Sequence, residues 1–165
     1  MDWVFHYLIP VLLLYFLGIR HKFLFGLGFL AWFPDLEKFL GYGRVIFHNI
    51  FFVLLATALI YVFLSAKKFS DKVKVTLLSG FFLLSHLILD FGGPIKILYP
   101  LSSKFFELEL AVRLVNRQIP MLFFQINTYD FLPVAQSPFI VTTEGFLIAL
   151  MLIGIFLVVR FSKKK

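Results

Sequence analysis

The chain contains no cysteine. Disulfides, thiolate metal sites and cysteine nucleophiles are therefore excluded, and any metal ion must be held by His, Asp or Glu. Charge is also scarce: 15% of residues are charged, against roughly 25% in a soluble domain. Acids are rarer than bases, nine in 165 residues, and there are four histidines. A soluble globular surface cannot be built from so little charge. The start, Met1-Asp2-Trp3, has no basic region of the secretory type, so the first apolar stretch is expected to be retained as a span. Gly26 and Gly28, like Gly41 and Gly43, do not form a phosphate loop. The basic residues are not interleaved for a nucleic-acid groove, so no nucleic-acid partner is expected.

What is abundant is apolar side chain, 61% of the chain with 24 Phe, at a mean hydropathy of +0.94. The bilayer is the solvent this composition suits. Apolar stretches run from Trp3 to Ile19, Phe23 to Phe33, Val45 to Ala66, Val75 to Phe91 and Gly145 to Phe161. The second reads as a helix to about Phe39, interrupted by Pro34. With the N-terminus outside, Arg20, Lys22, Lys67, Lys68, Lys72, Lys74, Arg160 and Lys163 to Lys165 share one side with Asp71 alone of the acids. The positive-inside rule makes that side cytoplasmic. Most of the +7 net charge is thereby explained as topology. In the outer connection, 92–144, Glu107, Glu109 and Arg113 alternate with Leu108, Leu110, Val112 and Leu114, the period of a strand, with a candidate partner in Met121 to Ile126; an interfacial helix is the alternative. The expected architecture is an all-α polytopic membrane protein. It would have four to five membrane helices, one short or Pro-interrupted, a small β-hairpin in the outer loop, and a single membrane-embedded domain over 1–165.

Ionisable groups on membrane spans are costly and usually functional. Under this topology His6, Asp35, Glu37, His48, His86 and Asp90 all fall at the outer ends of their segments. His86 and Asp90, four apart, share a helix face, a spacing that suits two ligands of one metal. The alternative is an imidazole paired with a carboxylate, or an Asp that merely ends the helix before Gly92-Gly93. Asp35 could be a turn residue after Pro34. Taken together, three histidines and two or three acids at one level form a ligand set that Zn²⁺, Mn²⁺ or Fe²⁺ accepts.

The segments WFPDLEKF, GRVIFHN and HLILDFGGPIKILYPLS, in this order, resemble the YdjM-like family of inner-membrane metal-dependent hydrolases. That family is itself similar to the zinc-dependent phospholipase C and single-strand nuclease superfamily. The resemblance spans about Asp2 to Ser103 and implies that His6, Asp35, His48, His86 and Asp90 occupy the metal-ligand positions. Glu37 stands where that family usually has Asp, Gly43 where it has the first His of His-Arg-Gly, Asn49 where it has Ser, and Gly93 where Thr is common. One or two divalent ions, Zn²⁺ first and Mn²⁺ or Fe²⁺ as alternatives, are implied.

The expected activity is hydrolysis of a phosphoester at the outer face of a prokaryotic plasma (inner) membrane, with membrane lipids as partners and a phospholipid or lipid-linked phosphate as substrate. Arg44 would pair with the phosphate, and Glu37 would take a proton from water. The rival expectation is a non-catalytic membrane protein, either a metal-binding or transport element or an adaptor. Passage through the membrane would need polar groups near its midplane, and Phe51 to Ile60 contains only Thr57.

Overall fold

A computed structural model describes residues 3–40, 44–115, 119–131 and 153. The architecture among them is mostly helical, with one two-stranded antiparallel sheet. The helices are α1 (Trp3–Phe16), α2 (Leu24–Gly28), α3 (Ile50–Ala66) and α4 (Lys72–Asp90), and a 3₁₀ helix, Phe29–Leu40, lies between α2 and α3. Among the described residues α4, with 19, is the one helix long and apolar enough to cross a membrane. Helices α1 and α3 are apolar but shorter, at 14 and 17 residues. The expected last span, Gly145 to Phe161, lies outside the described residues apart from Ile153, and Gly43 lies outside them too.

Local chemistry explains where these boundaries depart from the apolar stretches. Helix α1 stops short of Ile19 because Gly18 takes φ +80°, and Ile19 N–H then reaches the Leu14 carbonyl while Gly18 N–H reaches that of Tyr15. That pair of bonds is a Schellman ending, which needs a left-handed residue. Helix α3 starts at Ile50, not Val45, because Asn49 caps it: its Oδ1 accepts from Phe52 N–H at 2.7 Å. The expected Pro-interrupted helix is instead a single turn and a half of α-helix followed by 3₁₀ geometry from Phe29. Pro34 lacks an N–H, and its ring crowds the carbonyl four residues back, so the α pattern fails before the proline is reached.

The 3₁₀ helix positions much of the site. Runs of this length are uncommon, and at three residues per turn the side chains fall into three rows. Phe33, Leu36 and Phe39 form an exposed apolar row, whereas Ala31, Pro34 and Glu37 form a buried one. Trp32, Asp35 and Lys38 make the third, with Trp32 Nε1 donating to the Trp3 carbonyl at 2.5 Å and so tying the row to the start of α1.

Helix α4 is central and packs against α3, the 3₁₀ helix, α2 and α1. One core cluster joins Val11, Leu14, Leu24, Ala31, Leu78 and Phe82, and a second joins Val53, Leu83 and Leu87. Close approach depends on two glycines. A Cβ on Gly28 would lie 2.6 Å from Val11 Cγ2 and 2.8 Å from Tyr7, and one on Gly80 would lie 3.1 Å from Thr57 of α3. Outside this contact α3 buries only Val53, and Leu54, Leu55, Leu59, Val62 and Phe63 are exposed.

The expected hairpin is present. Strands β1 (Phe105–Val115) and β2 (Ile119–Tyr129) pair in a register from Phe105 opposite Tyr129 to Val115 opposite Ile119. Its base is fastened just beyond α4, by a bridge between Ile95 and Phe106 and by Leu108 N–H donating to the Phe91 carbonyl at 2.7 Å.

Candidate metal centre

Four segments deliver ionisable side chains to one end of the helical layer. His6 comes from the first turns of α1, Asp35 and Glu37 from the 3₁₀ helix, His48 from the residue before the α3 cap, and His86 and Asp90 from the last turns of α4. All six are buried, and Asp35, Glu37, His48, His86 and Asp90 are fully so. Burying this many polar groups in an apolar fold is unfavourable unless each finds a partner.

Asp35, His48, His86 and Asp90 bring one ligand atom each to within 4.8 Å of one another. His48 Nε2 lies 3.1 Å from Asp90 Oδ2 and 3.6 Å from Asp35 Oδ1. His86 Nε2 lies 3.5 Å from Asp90 Oδ2, 3.9 Å from Asp35 Oδ1 and 3.0 Å from His48 Nε2. Two ligand atoms, each about 2.0–2.2 Å from a shared ion, typically stand about 3.4 Å apart. The observed separations straddle that value.

The outer partners decide which nitrogens face the centre. His86 Nδ1 donates to the Ala31 carbonyl at 2.6 Å. His48 Nδ1 donates to Glu37 Oε1 at 2.8 Å. With both Nδ1 atoms used as donors, each ring when neutral turns an Nε2 lone pair inward, the arrangement in which metal-ligating histidines are held. Asp35 Oδ2 and Asp90 Oδ2 are buried without a hydrogen bond. Lone pairs and carboxylate oxygens converging in this way repel one another unless positive charge stands among them. A divalent cation fits this donor set: the buried cluster can bind a metal ion.

A proton or an ammonium also answers that need. His48 lies in the segment 44–49, ahead of α3. Burial alone would lower its pKa, but the carboxylates of Asp35, Asp90 and Glu37 override burial and push it up to about 10. Lys38 Nζ rests 2.5 Å from Asp35 Oδ1.

The remaining expected residues surround the four. His6 is not one of them; its Nε2 is 2.7 Å from Asp90 Oδ1, and its ring lies against that of His86, centroids 4.4 Å apart. Glu37 has both oxygens engaged, Oε1 by His48 and Oε2 by the N–H groups of Ile46 at 3.0 Å and Phe47 at 2.6 Å. The general-base role expected for it lacks a free oxygen. Arg44 holds a left-handed backbone, φ +45°, with Nη2 3.9 Å from Asp90 Oδ2. A Cβ on Gly93 would lie 3.3 Å from Arg44 Nη1, so glycine leaves room there for the guanidinium.

Sequence reasoning passed over three contributors. The Ala31 carbonyl carries no side-chain signal at all. Asn49 was visible as a cap residue immediately before an apolar run. Lys38 offers the ordinary i,i+3 signal of a helical ion pair with Asp35, and the 3₁₀ geometry brings the two into eclipse. Comparisons with protein-family models, with curated proteins and with solved structures gave no match to this chain.

Proposed function

We propose that the protein is a multi-pass membrane hydrolase, dependent on a divalent metal and acting on phosphoesters at the lipid interface. The observation that carries this reading is the inward convergence of two histidine Nε2 atoms and two buried carboxylates, each with an oxygen that accepts no hydrogen bond, and each ring fixed from behind by an acceptor. A closed structural zinc site is built mostly from cysteines, and this donor set of two His and two Asp is of the oxygen-rich kind associated with hydrolytic chemistry.

Asp35, His48, His86 and Asp90 would hold one ion, with Zn²⁺ first by donor type and Mn²⁺ or Fe²⁺ also compatible. When bound, such an ion polarises a phosphoryl oxygen and acidifies a coordinated water. Glu37 acts in this reading by holding the His48 ring, and His6 by orienting Asp90. Arg44, partly exposed at 22%, would meet the phosphate with its planar fork.

The membrane part of the proposal rests on composition and on exposure. Helices α1, α3 and α4 would cross, and the exposed apolar face of α3 would meet lipid, since water would not favour it. The basic clusters put the C-terminus in the cytoplasm and the site at the outer face of a prokaryotic plasma membrane, where a lipid headgroup or lipid-linked phosphate is within reach. A one-sided site favours surface chemistry over transport.

Purified wild type should carry about one equivalent of divalent metal by elemental analysis and hydrolyse 4-nitrophenyl phosphate or its diester when supplied with Zn²⁺ or Mn²⁺. His86→Ala and Asp90→Asn should lose the metal, and His48→Ala the turnover. Unchanged metal content in both variants would defeat the site. Equal background turnover by wild type and His48→Ala would favour a non-catalytic adaptor.

A further inference from the structure

Resting on that reading, we propose that Lys38 is the anion-binding residue of the site, its ammonium held on Asp35 until a metal ion takes that carboxylate and then released onto the phosphate of the substrate. The 3₁₀ helix makes this arrangement. At three residues per turn Lys38 stands directly over Asp35, whereas an α-helix would rotate it away by about 60°. Its Nζ lies 2.5 Å from Asp35 Oδ1, the same oxygen that lies 3.6 Å from His48 Nε2 and 3.9 Å from His86 Nε2. An ammonium and a divalent cation on one oxygen repel each other, so metal binding and the Lys38–Asp35 contact compete.

What Lys38 does next follows from where it stands. The four ligand residues, Glu37 and His6 are buried, whereas Lys38 and Arg44 have side chains 29% and 22% exposed. Each sits on one of the two carboxylate ligands, Lys38 on Asp35 and Arg44 on Asp90. An anion arriving from solvent therefore meets these two cations beside the metal centre. Lysine suits the moving role, being a compact charge on a flexible four-carbon stem, and arginine the fixed one. The ligand class this selects is a phosphate group carrying more than one negative oxygen.

The test uses the full-length protein in detergent, with Zn²⁺ and then inorganic phosphate as titrants in calorimetry, on wild type, Lys38→Met and Lys38→Arg. Lys38→Met should bind Zn²⁺ about tenfold more tightly, because the competing ammonium is gone, and the zinc-loaded variant should bind phosphate at least about tenfold more weakly, the scale of one hydrogen bond to a charged group. Lys38→Arg should retain phosphate binding within about threefold, since a cation remains. The proposal is overturned if Lys38→Met leaves both affinities unchanged. It is equally overturned if Zn²⁺ affinity falls in Lys38→Met, which would make Lys38 a prop for Asp35. A wild type that takes up Zn²⁺ but not phosphate would overturn it and leave the metal centre standing. A wild type that takes up no Zn²⁺ would defeat the hydrolase reading itself.

Discussion

Replacing Glu37 by Gln separates two roles that a carboxylate beside a metal centre can have. In the structure Glu37 accepts three hydrogen bonds, one from His48 Nδ1 and two from the backbone N–H groups of Ile46 and Phe47. Glutamine has one acceptor oxygen and an NH₂ that only donates. If the oxygen faces the backbone, the NH₂ opposes His48 Nδ1–H, and the ring must change tautomer or turn, which spoils the inward Nε2. If the oxygen faces His48, the two backbone donors are left opposite an NH₂ and the segment leading into α3 shifts. Either way the ligand is displaced. Loss of such an outer partner typically costs 10–100-fold in metal affinity, equivalent to about 1.4–2.7 kcal/mol. A general base predicts otherwise: Glu37→Gln would bind Zn²⁺ normally and lose only turnover. Zinc calorimetry and initial rates at saturating metal, on the same preparation, distinguish the two. A Zn²⁺ affinity within about twofold of wild type would refute the positioning role.

The other predictions concern protonation and packing. The carboxylates of Asp35, Asp90 and Glu37 push the His48 pKa up to about 10, so a cation at Nε2 must displace a proton. Apparent Zn²⁺ affinity should therefore climb by about one decade per pH unit between about pH 6 and 8; an affinity that is flat over that window would show that His48 is not a ligand. Gly28→Ala places a methyl 2.6 Å from Val11 Cγ2 and should lower stability by about 1–3 kcal/mol, the usual cost of overpacking. Thermal unfolding in detergent would register this as a lower Tm, and an unchanged Tm would show that α1 and α2 do not meet as described.

The extent to which the site was legible in the sequence varied with the residue. Asp35, His48, His86 and Asp90 stood out because few ionisable groups occur in so apolar a chain, and each sits where an apolar stretch begins, ends or is interrupted. The hairpin was legible from the period-two alternation of Glu107 to Leu114, which survives because strand periodicity is local. Helix ends were less so. The apolar run from Val45 gives no hint that the helix waits for Asn49, because hydrophobicity marks what a segment can bury and not which residue satisfies its first N–H groups. The row of Phe33, Leu36 and Phe39 did contain the 3₁₀ spacing, but a period of three is close to 3.6 and two turns do not separate them.

The sequence by itself determined the apolar excess and sparse charge of the chain, the absence of thiol chemistry, and the short set of His and Asp from which a metal centre can be drawn. Composition and local spacing suffice for these, since they depend on residues one at a time or on near neighbours. Only the tertiary structure decided how those residues divide the work: which four ligand atoms converge, that His6 stands behind Asp90, that Glu37 is spent on His48, and that Lys38 belongs to the site. Those assignments turn on differences of about an ångström between atoms from α1, the 3₁₀ helix, the start of α3 and the end of α4, and no local pattern encodes distances between segments that meet only when the chain is packed.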